Sequence, residues 1–183
     1  MATTIRIILV DDEIRFRDTL ADRLRLRNFE VMTASDGFDA LTKVSAFQPD
    51  LALVDLKMPG MDGETLLREL KSAYPLTEVV ILTGHGSALS EETCTEAGAY
   101  SYLHKPCGTP ELAAVLLEAF ERRVLRRLGM ERDRLEQLIQ RTAGESSFHA
   151  IIQLKKLEEQ ILKRQQGRDG VHPDDNTASV RID

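Results

Sequence analysis

The chain lacks the sequence features of a membrane-bound, secreted or disulfide-bonded protein. It contains no apolar run of about 18 residues, so we expect no membrane span. No basic segment followed by an apolar stretch occurs near residue 1, so no secretory signal is evident. The two cysteines, Cys94 and Cys107, form no CxxC pair and suggest no disulfide framework. We therefore expect a cytoplasmic protein in which both cysteines are small packed residues.

Two further absences limit the function of the carboxyl-terminal third. Residues 122–183 contain no convincing helix-turn-helix pattern and no Walker motif, so neither a DNA-reading nor an ATPase module is predicted. The 183 residues, 42% of them hydrophobic, favour one domain plus an appendage. Residues 1–121 carry a net charge of −9, whereas the remainder carries +3, with seven arginines between residues 122 and 141. The pattern indicates an acidic globule with a locally basic arm.

Residues 4–121 alternate between strand-like and helix-like patterns. Short β-branched and aliphatic runs predict strands, and apolar residues at helical spacing between them predict helices. The predicted strands are Ile5–Val10, Glu30–Thr33, Leu51–Val54, Val79–Leu82 and Tyr100–Leu103. The last predicted helix begins after Thr109 as N-cap, with Pro110 in its first turn. Nothing clearly ends this helix before Thr142, although Gly129 is a candidate bend.

Alternating strands and helices predict an α/β fold with a parallel sheet and right-handed crossovers. Five such units in about 120 residues fit the flavodoxin-like, doubly wound order 2-1-3-4-5. In that order a ligand binds beyond the carboxyl ends of the strands, beside the first and third. A helical extension, residues 122–166, and a polar, disordered tail, residues 167–183, are predicted to come after the domain.

Chemically active side chains follow four of the predicted strands. Asp11 and Asp12 come after the first strand, Asp55 after the third, Thr83 after the fourth and Lys105 after the fifth. Each alone has an ordinary explanation, because an Asp can cap a helix and a Thr before Gly can form a turn. At successive strand ends of one sheet, however, they converge on a single edge.

The converging groups suit phosphoryl transfer to a carboxylate. Mg²⁺ prefers oxygen ligands, so Asp12 and Asp55 are expected to bind it directly and Asp11 through water. The cation and Lys105 would offset the repulsion between Asp55 and a phosphate, so that Asp55 can attack in line. Thr83 would donate a hydrogen bond to a phosphoryl oxygen, and such preplaced charges and dipoles do most of the catalysis.

These motifs carry a family resemblance. Residues 4–121 resemble the receiver domain of a two-component response regulator, through the segments Val10-Asp11-Asp12-Glu13, Asp55 to Gly63, Thr83-Gly84-His85 and Lys105-Pro106. The resemblance implies that Asp55 accepts phosphate from a sensor histidine kinase or a phosphotransfer protein. It implies a metal site of Asp11, Asp12, Asp55 and the Lys57 carbonyl, and a cis peptide bond before Pro106. It also implies a phosphoprotein that is no enzyme beyond promoting its own aspartyl phosphorylation and dephosphorylation.

The resemblance further implies a switch formed by Thr83 and Tyr102. A phosphoryl group adds about −1.5 to −2 charges and strong acceptor oxygens. Thr83 would move toward those oxygens, and Tyr102 would turn into the space that Thr83 leaves. Because the two states need differ by only a few kcal/mol, phosphorylation would shift populations rather than build a new fold.

Three functions compete for the extension. In the first it signals by protein–protein contact, with a homodimer formed through a coil or hairpin of Val124, Leu128, Leu135 and Leu138. In the second the Arg-rich helix binds nucleic acid through phosphates. In the third His149 is a phosphorelay histidine, although no phosphotransfer signature surrounds it.

Overall fold

The structure, a computed structural model, describes residues 4–84, 86–129 and 154–163. Its elements alternate strictly between strand and helix through residue 128. They are β1 (Arg6–Val10), α1 (Ile14–Arg25), β2 (Glu30–Ala34), α2 (Gly37–Phe47), β3 (Leu51–Val54), α3 (Gly63–Ala73), β4 (Glu78–Thr83), α4 (Ala88–Glu96), β5 (Ser101–His104) and α5 (Thr109–Leu128). Residues 154–163 are also helical, and we call them the docked helix.

The five strands form one parallel sheet in the order β2-β1-β3-β4-β5, so the flavodoxin-like order predicted from the sequence is confirmed. Both faces of the sheet are covered, which explains why the strands read as nearly continuous apolar runs. Successive residues of β1 serve opposite faces. Ile7 and Leu9 join the core on the α1 and α5 side, while Ile8 and Val10 join the core beneath α2 and α3.

Side chains at the helix starts agree with the local sequence. Asp36, Asp62 and Ser87 cap α2, α3 and α4 by accepting a bond from the backbone N–H three residues on. The prediction that Thr109 caps α5 is wrong, because Gly108 occupies the N-cap position and Thr109 is already helical. Pro110 lies in the first turn, where its missing N–H leaves no helical bond unmade.

The predicted continuation of the last helix to Thr142 is also wrong. The helix α5 ends at Leu128, and Gly129 adopts a left-handed conformation with φ of 57°. A glycine in this conformation is a common helix stop, because it carries no Cβ to collide with the backbone. The helix nevertheless runs unbroken across residues 121 and 122, where the sequence suggested a domain boundary.

The apolar residues of late α5 pack inside the domain. Val124 is fully buried in the α1 and α5 core, and Leu128 packs against the same core. Val124 therefore has no exposed surface for the coil that was predicted from its spacing. Leu135, Leu138, His149 and the tail 167–183 lie outside the described residues. Within the described ranges no helix has the length and apolarity needed to cross a membrane.

Candidate functional site

The carboxyl ends of four strands meet at one edge of the sheet. Backbone hydrogen bonds align the residues just beyond these ends: Asp55 N–H donates to Val10 at 2.9 Å, and Lys105 N–H donates to the Thr83 carbonyl at 2.9 Å. Asp11 N–H donates to Ala34 at 3.1 Å. The ladder between strands thus continues one residue past them and holds the backbone of each functional residue in register.

Three carboxylates form the centre of this edge. Asp11, Asp12 and Asp55 each offer a carboxylate oxygen, and these oxygens all lie within 4.8 Å of one another. Asp11 and Asp55 are buried, whereas Asp12 is exposed. The buried Asp55 Oδ1 accepts no hydrogen bond from the described residues. Because a buried unsatisfied anion is costly, clustered oxygens of this kind fit a hard divalent cation.

Lys105 supplies the positive charge at the site. Its Nζ lies 2.5 Å from Asp11 Oδ2, 3.7 Å from Asp55 Oδ1 and 3.3 Å from Glu13 Oε1. Burial acts to lower the pKa of Lys105, but the hydrogen bond and charge of Asp11, together with the charge of Asp55, outweigh it and raise the pKa. Lys105 therefore stays protonated and faces the carboxylates as a cation.

Burial dominates at Asp11. Desolvation raises the pKa of the Asp11 carboxyl above its usual value, although hydrogen bonds from Lys105 and from the Glu13 backbone N–H act against it. A bound cation would oppose this desolvation and favour the ionised carboxylate. Cation binding and ionisation of Asp11 therefore favour each other.

Two residues that the sequence motifs did not assign to the site also hold Lys105. The ammonium lies 4.3 Å from the centre of the Phe16 ring, close enough for a cation–π contact, and Glu13 contributes the outer ion pair. Glu13 and Phe16 are three residues apart, so they share a face at the start of α1. That spacing was the available signal, but the sequence did not indicate that Lys105 lies over this face.

Gly63 lets α3 approach the site closely. Its backbone N–H donates to the Leu56 carbonyl at 3.0 Å, and a Cβ at this position would collide with the carbonyl oxygen of Asp55. The obstacle is backbone, so it cannot turn away as a side chain could. The first residue of α3 must therefore be glycine, because the backbone of the loop that carries Asp55 occupies the space of a side chain.

We expect Gly63→Ala to lower the free energy of unfolding by about 1–3 kcal/mol, because α3 or the Asp55 loop must shift. Urea unfolding of the whole protein measures the change. Gly84→Ala is a suitable control, since the nearest atom to its new Cβ is 4.0 Å away. Equal stability of the two variants would contradict the steric argument.

Thr83 and Tyr102 lie on neighbouring strands beside the carboxylates. Thr83 is fully buried at the end of β4, and Tyr102 lies in β5 opposite Ile81. The Tyr102 hydroxyl is buried without a hydrogen-bond partner among the described residues, and a Cβ on Gly86 would collide with it. Desolvation raises the pKa of Tyr102, so the phenol is neutral.

The remaining predicted residues lie in the flanking loops. The Lys105–Pro106 peptide bond is cis, and the exposed Lys57 follows Leu56 in the β3–α3 loop. His85, part of the third motif, lies outside the described residues. All the predicted site residues that the structure describes therefore lie at or next to one edge of the sheet. Lys57 lies in the loop beside this edge.

Comparison with known proteins agrees with this geometry. Residues 7–117 match the family model described as the response regulator receiver domain. The chain is 30% identical over 148 residues to the response regulator MprA of Mycobacterium ulcerans, which covers 81% of this chain and 62% of that protein. It is 32% identical over 121 residues to the regulatory protein AtoC of Escherichia coli, covering 66% of this chain and 26% of AtoC. The chain thus spans less than two thirds of the length of these relatives.

Solved structures of receiver domains have the same architecture. A receiver domain protein from Clostridium thermocellum shares 31% identity and superimposes with a TM-score of 0.63, covering 69% of this chain and 99% of that one. A CheY-like receiver domain protein from Methanospirillum hungatei shares 28% identity, with a TM-score of 0.63 and coverage of 66% and 96%. With its sheet order, its acidic edge and the family match over residues 7–117, this chain belongs to the response regulator receiver domain family of two-component signalling.

Proposed function

We propose that the chain is a response regulator in which Asp55 accepts a phosphoryl group from a histidine kinase or a phosphotransfer protein in a Mg²⁺-dependent reaction. The observation that carries the proposal is the environment of Asp55. Its buried carboxylate has an oxygen without a hydrogen-bond partner among the described residues, 3.7 Å from a buried ammonium and next to two further acids. A nucleophile placed in this way is available to react, with Lys105 beside it to pair with a phosphoryl oxygen and two acids to bind the cation that offsets their repulsion.

The metal site in this proposal consists of Asp11, Asp12, Asp55 and the backbone carbonyl of Lys57. The three carboxylate oxygens within 4.8 Å of one another support it, since Mg²⁺ is bound by a few carboxylates plus waters and phosphate oxygens. When bound, Mg²⁺ supplies positive charge that neutralises part of the negative charge of the acids and the incoming phosphoryl group.

The transfer itself is a substitution at phosphorus. A carboxylate oxygen of Asp55 forms a new bond to phosphorus while the bond between phosphorus and the donor histidine nitrogen breaks, and the nitrogen keeps the electron pair. Lys105 already lies between Asp11 and Asp55, so it can pair with a phosphoryl oxygen by a small movement. The Thr83 hydroxyl donates to a second phosphoryl oxygen in this mechanism.

Strands β4 and β5, which carry Thr83 and Tyr102, support the switch that we propose. A buried hydroxyl without a partner costs free energy, so the observed position of Tyr102 is held by packing against Gly86 and not by a hydrogen bond. A movement of Thr83 toward a phosphoryl group would change the space available to this ring. Phosphorylation would therefore alter the surface formed by α4, β5 and α5.

We propose that the output is a protein–protein contact. The competing nucleic-acid function needs free arginines, but the four described arginines of the basic arm contact carboxylates of the same chain. They are Arg122 and Arg126 with Glu78, Arg123 with Asp50 and Glu158, and Arg127 with Glu158. No observation on the described residues favours nucleic acid, and the homodimer and the cytoplasmic location stay predictions.

Acetyl phosphate and Mg²⁺ test the proposal directly. We expect the purified protein to gain the mass of one phosphoryl group, which intact-mass spectrometry detects. Hydroxylamine should remove the added mass, because the product is an acyl phosphate. A chelator added beforehand should prevent the gain, since the carboxylates then repel the donor. Protein that never gains this mass in the presence of Mg²⁺ would contradict the proposed function.

A further inference from the structure

The docked helix, residues 154–163, packs against the domain at the end of the sheet opposite the carboxylates. Leu154 is buried in the same core as Phe120 and Val124 of α5, and Leu157 packs against that core. The Lys155 ammonium lies 5.7 Å from the centre of the Phe120 ring. The segment therefore shares the core of the receiver domain, although it is separated in sequence from α5 by residues 129–153.

A buried ionic network joins the docked helix to β3 and α5. Asp50, the residue before β3, accepts bonds from Lys155 and Arg123, each at 2.8 Å. Glu158 of the docked helix pairs with Arg123 at 2.6 Å and with Arg127 at 3.2 Å. Asp50 and Glu158 are fully buried, so these ion pairs are protected from solvent screening.

This network holds the docked helix closely but not completely. Arg123 Nε and Glu158 Oε2 are buried and make no hydrogen bond within the described ranges. Glu158 Oε2 has only the ion pair with Lys155 at 3.4 Å, and Arg123 Nε has lost its hydration without a hydrogen bond in exchange, so each offsets part of what the network contributes. Buried ion pairs are moreover stable only in good geometry, so a small displacement of either side weakens them strongly. The docked state is thus poised for release.

Two rigid elements connect the network with the phosphoacceptor edge. The strand β3 has Asp50 before its first residue and Asp55 after its last, roughly 17 Å apart at the usual rise of a strand. The helix α5 begins four residues after Lys105 and is roughly 30 Å long, and it carries Arg123 and Arg127 near its far end. β3 and α5 therefore provide a continuous physical path from Asp55 and Lys105 to the residues that hold the docked helix.

We propose that the docked helix is a regulated strap, which is bound to β3 and α5 in the unphosphorylated protein and released when Asp55 is phosphorylated. The proposal rests on the proposed function of Asp55. The direction follows from the contacts, since the docked helix pairs with Asp50 beside β3 and with Arg123 and Arg127 of α5 at the same time, and a displacement of α5 relative to β3 disturbs this joint arrangement. Release uncovers Leu154 and the apolar surface around Phe120 and Val124.

Hydrogen exchange on the full chain tests the release. The protein is treated with acetyl phosphate and Mg²⁺, and the phosphorylated fraction is read from its intact mass in the same sample. We expect amide exchange in residues 154–163 to become about tenfold faster in the phosphorylated protein, within the usual range of coupling between two sites. The Asp55→Asn variant is the matched control, and its exchange should not respond.

A second variant tests whether the ion pairs hold the strap. Glu158→Gln keeps the shape of the side chain but removes the charge that faces Arg123 and Arg127, so exchange in residues 154–163 should be fast without phosphorylation. Exchange as slow as in the wild type would overturn the role of the network.

The outcomes separate the two proposals. Phosphoryl gain with unchanged exchange in residues 154–163 would overturn the strap and leave the function of Asp55 intact. A protein that gains no phosphoryl group would contradict the proposed function and the release together.

Discussion

The Asp55→Asn variant is expected to lose all uptake of a phosphoryl group while keeping its fold. An amide oxygen is a far weaker nucleophile than a carboxylate oxygen, and its reaction with a phosphoryl donor would not give an acyl phosphate. The two side chains have nearly the same shape, so the packing around β3 is preserved. The change also removes one of three negative charges whose oxygens lie within 4.8 Å of one another. Because like charges repel strongly when buried, the free energy of unfolding should not fall.

Intact-mass spectrometry after treatment with acetyl phosphate and Mg²⁺ measures the loss. Asp22→Asn provides a matched control, since Asp22 lies on the exposed side of α1, where it pairs with Arg25 at 3.1 Å. That variant should gain the same mass as the wild type. Phosphoryl gain by Asp55→Asn equal to that of the wild type would show that another group, such as Asp11 or Asp12, is the acceptor.

The second large effect is expected at the opposite end of the same strand. Asp50→Ala should lower the free energy of unfolding by about 3–5 kcal/mol, the usual cost of removing one partner from a buried ion pair. The variant leaves the buried ammonium of Lys155 and the buried guanidinium of Arg123 without this carboxylate. It also removes the acceptor of the Arg6 backbone N–H at 2.9 Å. Such a loss is a large part of the roughly 5–15 kcal/mol that stabilises a typical domain.

Urea unfolding of the full chain measures this effect through the midpoint and the slope of the transition. Asp22→Ala removes a carboxylate from an exposed ion pair and should cost about 1 kcal/mol or less, because solvent screens such pairs. An Asp50→Ala variant as stable as Asp22→Ala would mean that the buried network contributes no net stability. The comparison isolates burial, since both substitutions remove the same side chain.

The two predictions concern opposite ends of one short strand. The carboxyl end of β3 leads to the buried Asp55, which has an oxygen without a hydrogen bond from the described residues, whereas its amino end follows Asp50, which is fully paired inside the domain. A buried carboxylate with an oxygen that accepts no hydrogen bond suits chemistry because it gains from a new partner. A paired buried charge suits structure because it loses from any change. The difference lies in the neighbours supplied by α5 and the docked helix, and not in the residue type.

Much of the fold followed from local patterns. The apolar runs before Asp11, Asp55, Thr83 and Lys105 predicted strands, and the strands with the helices between them predicted the parallel order that is observed. The edge position of the candidate site followed in turn, because residues after parallel strands meet at one edge. Each of these inferences depends on residues within a few positions of one another, where side-chain periodicity determines which face is buried.

The errors arose where a local pattern permits more than one outcome. Gly129 within a helical pattern is compatible with a bend or a stop. The spacing of the apolar residues around it does not show which occurs, and in the structure its left-handed conformation ends α5. Val124 has the spacing of a coiled-coil position, but the same spacing lets it pack in the core of its own domain. The nucleic-acid alternative for the arginines around it stays a prediction, but the local pattern could not show that their described members contact Asp50, Glu78 and Glu158.

The amino-acid sequence by itself determined the order of strands and helices and the edge at which the acids, the hydroxyl and the lysine converge, because strand and helix periodicities act over a few residues. Only the tertiary structure decided what lies around these groups: the ring of Phe16 beneath Lys105, the close approach of Gly63 to the backbone of Asp55, and the docking of residues 154–163. The reason is that such contacts join residues far apart along the chain. Asp50 and Lys155 form an ion pair across 105 positions of sequence, and no local pattern encodes such a pairing.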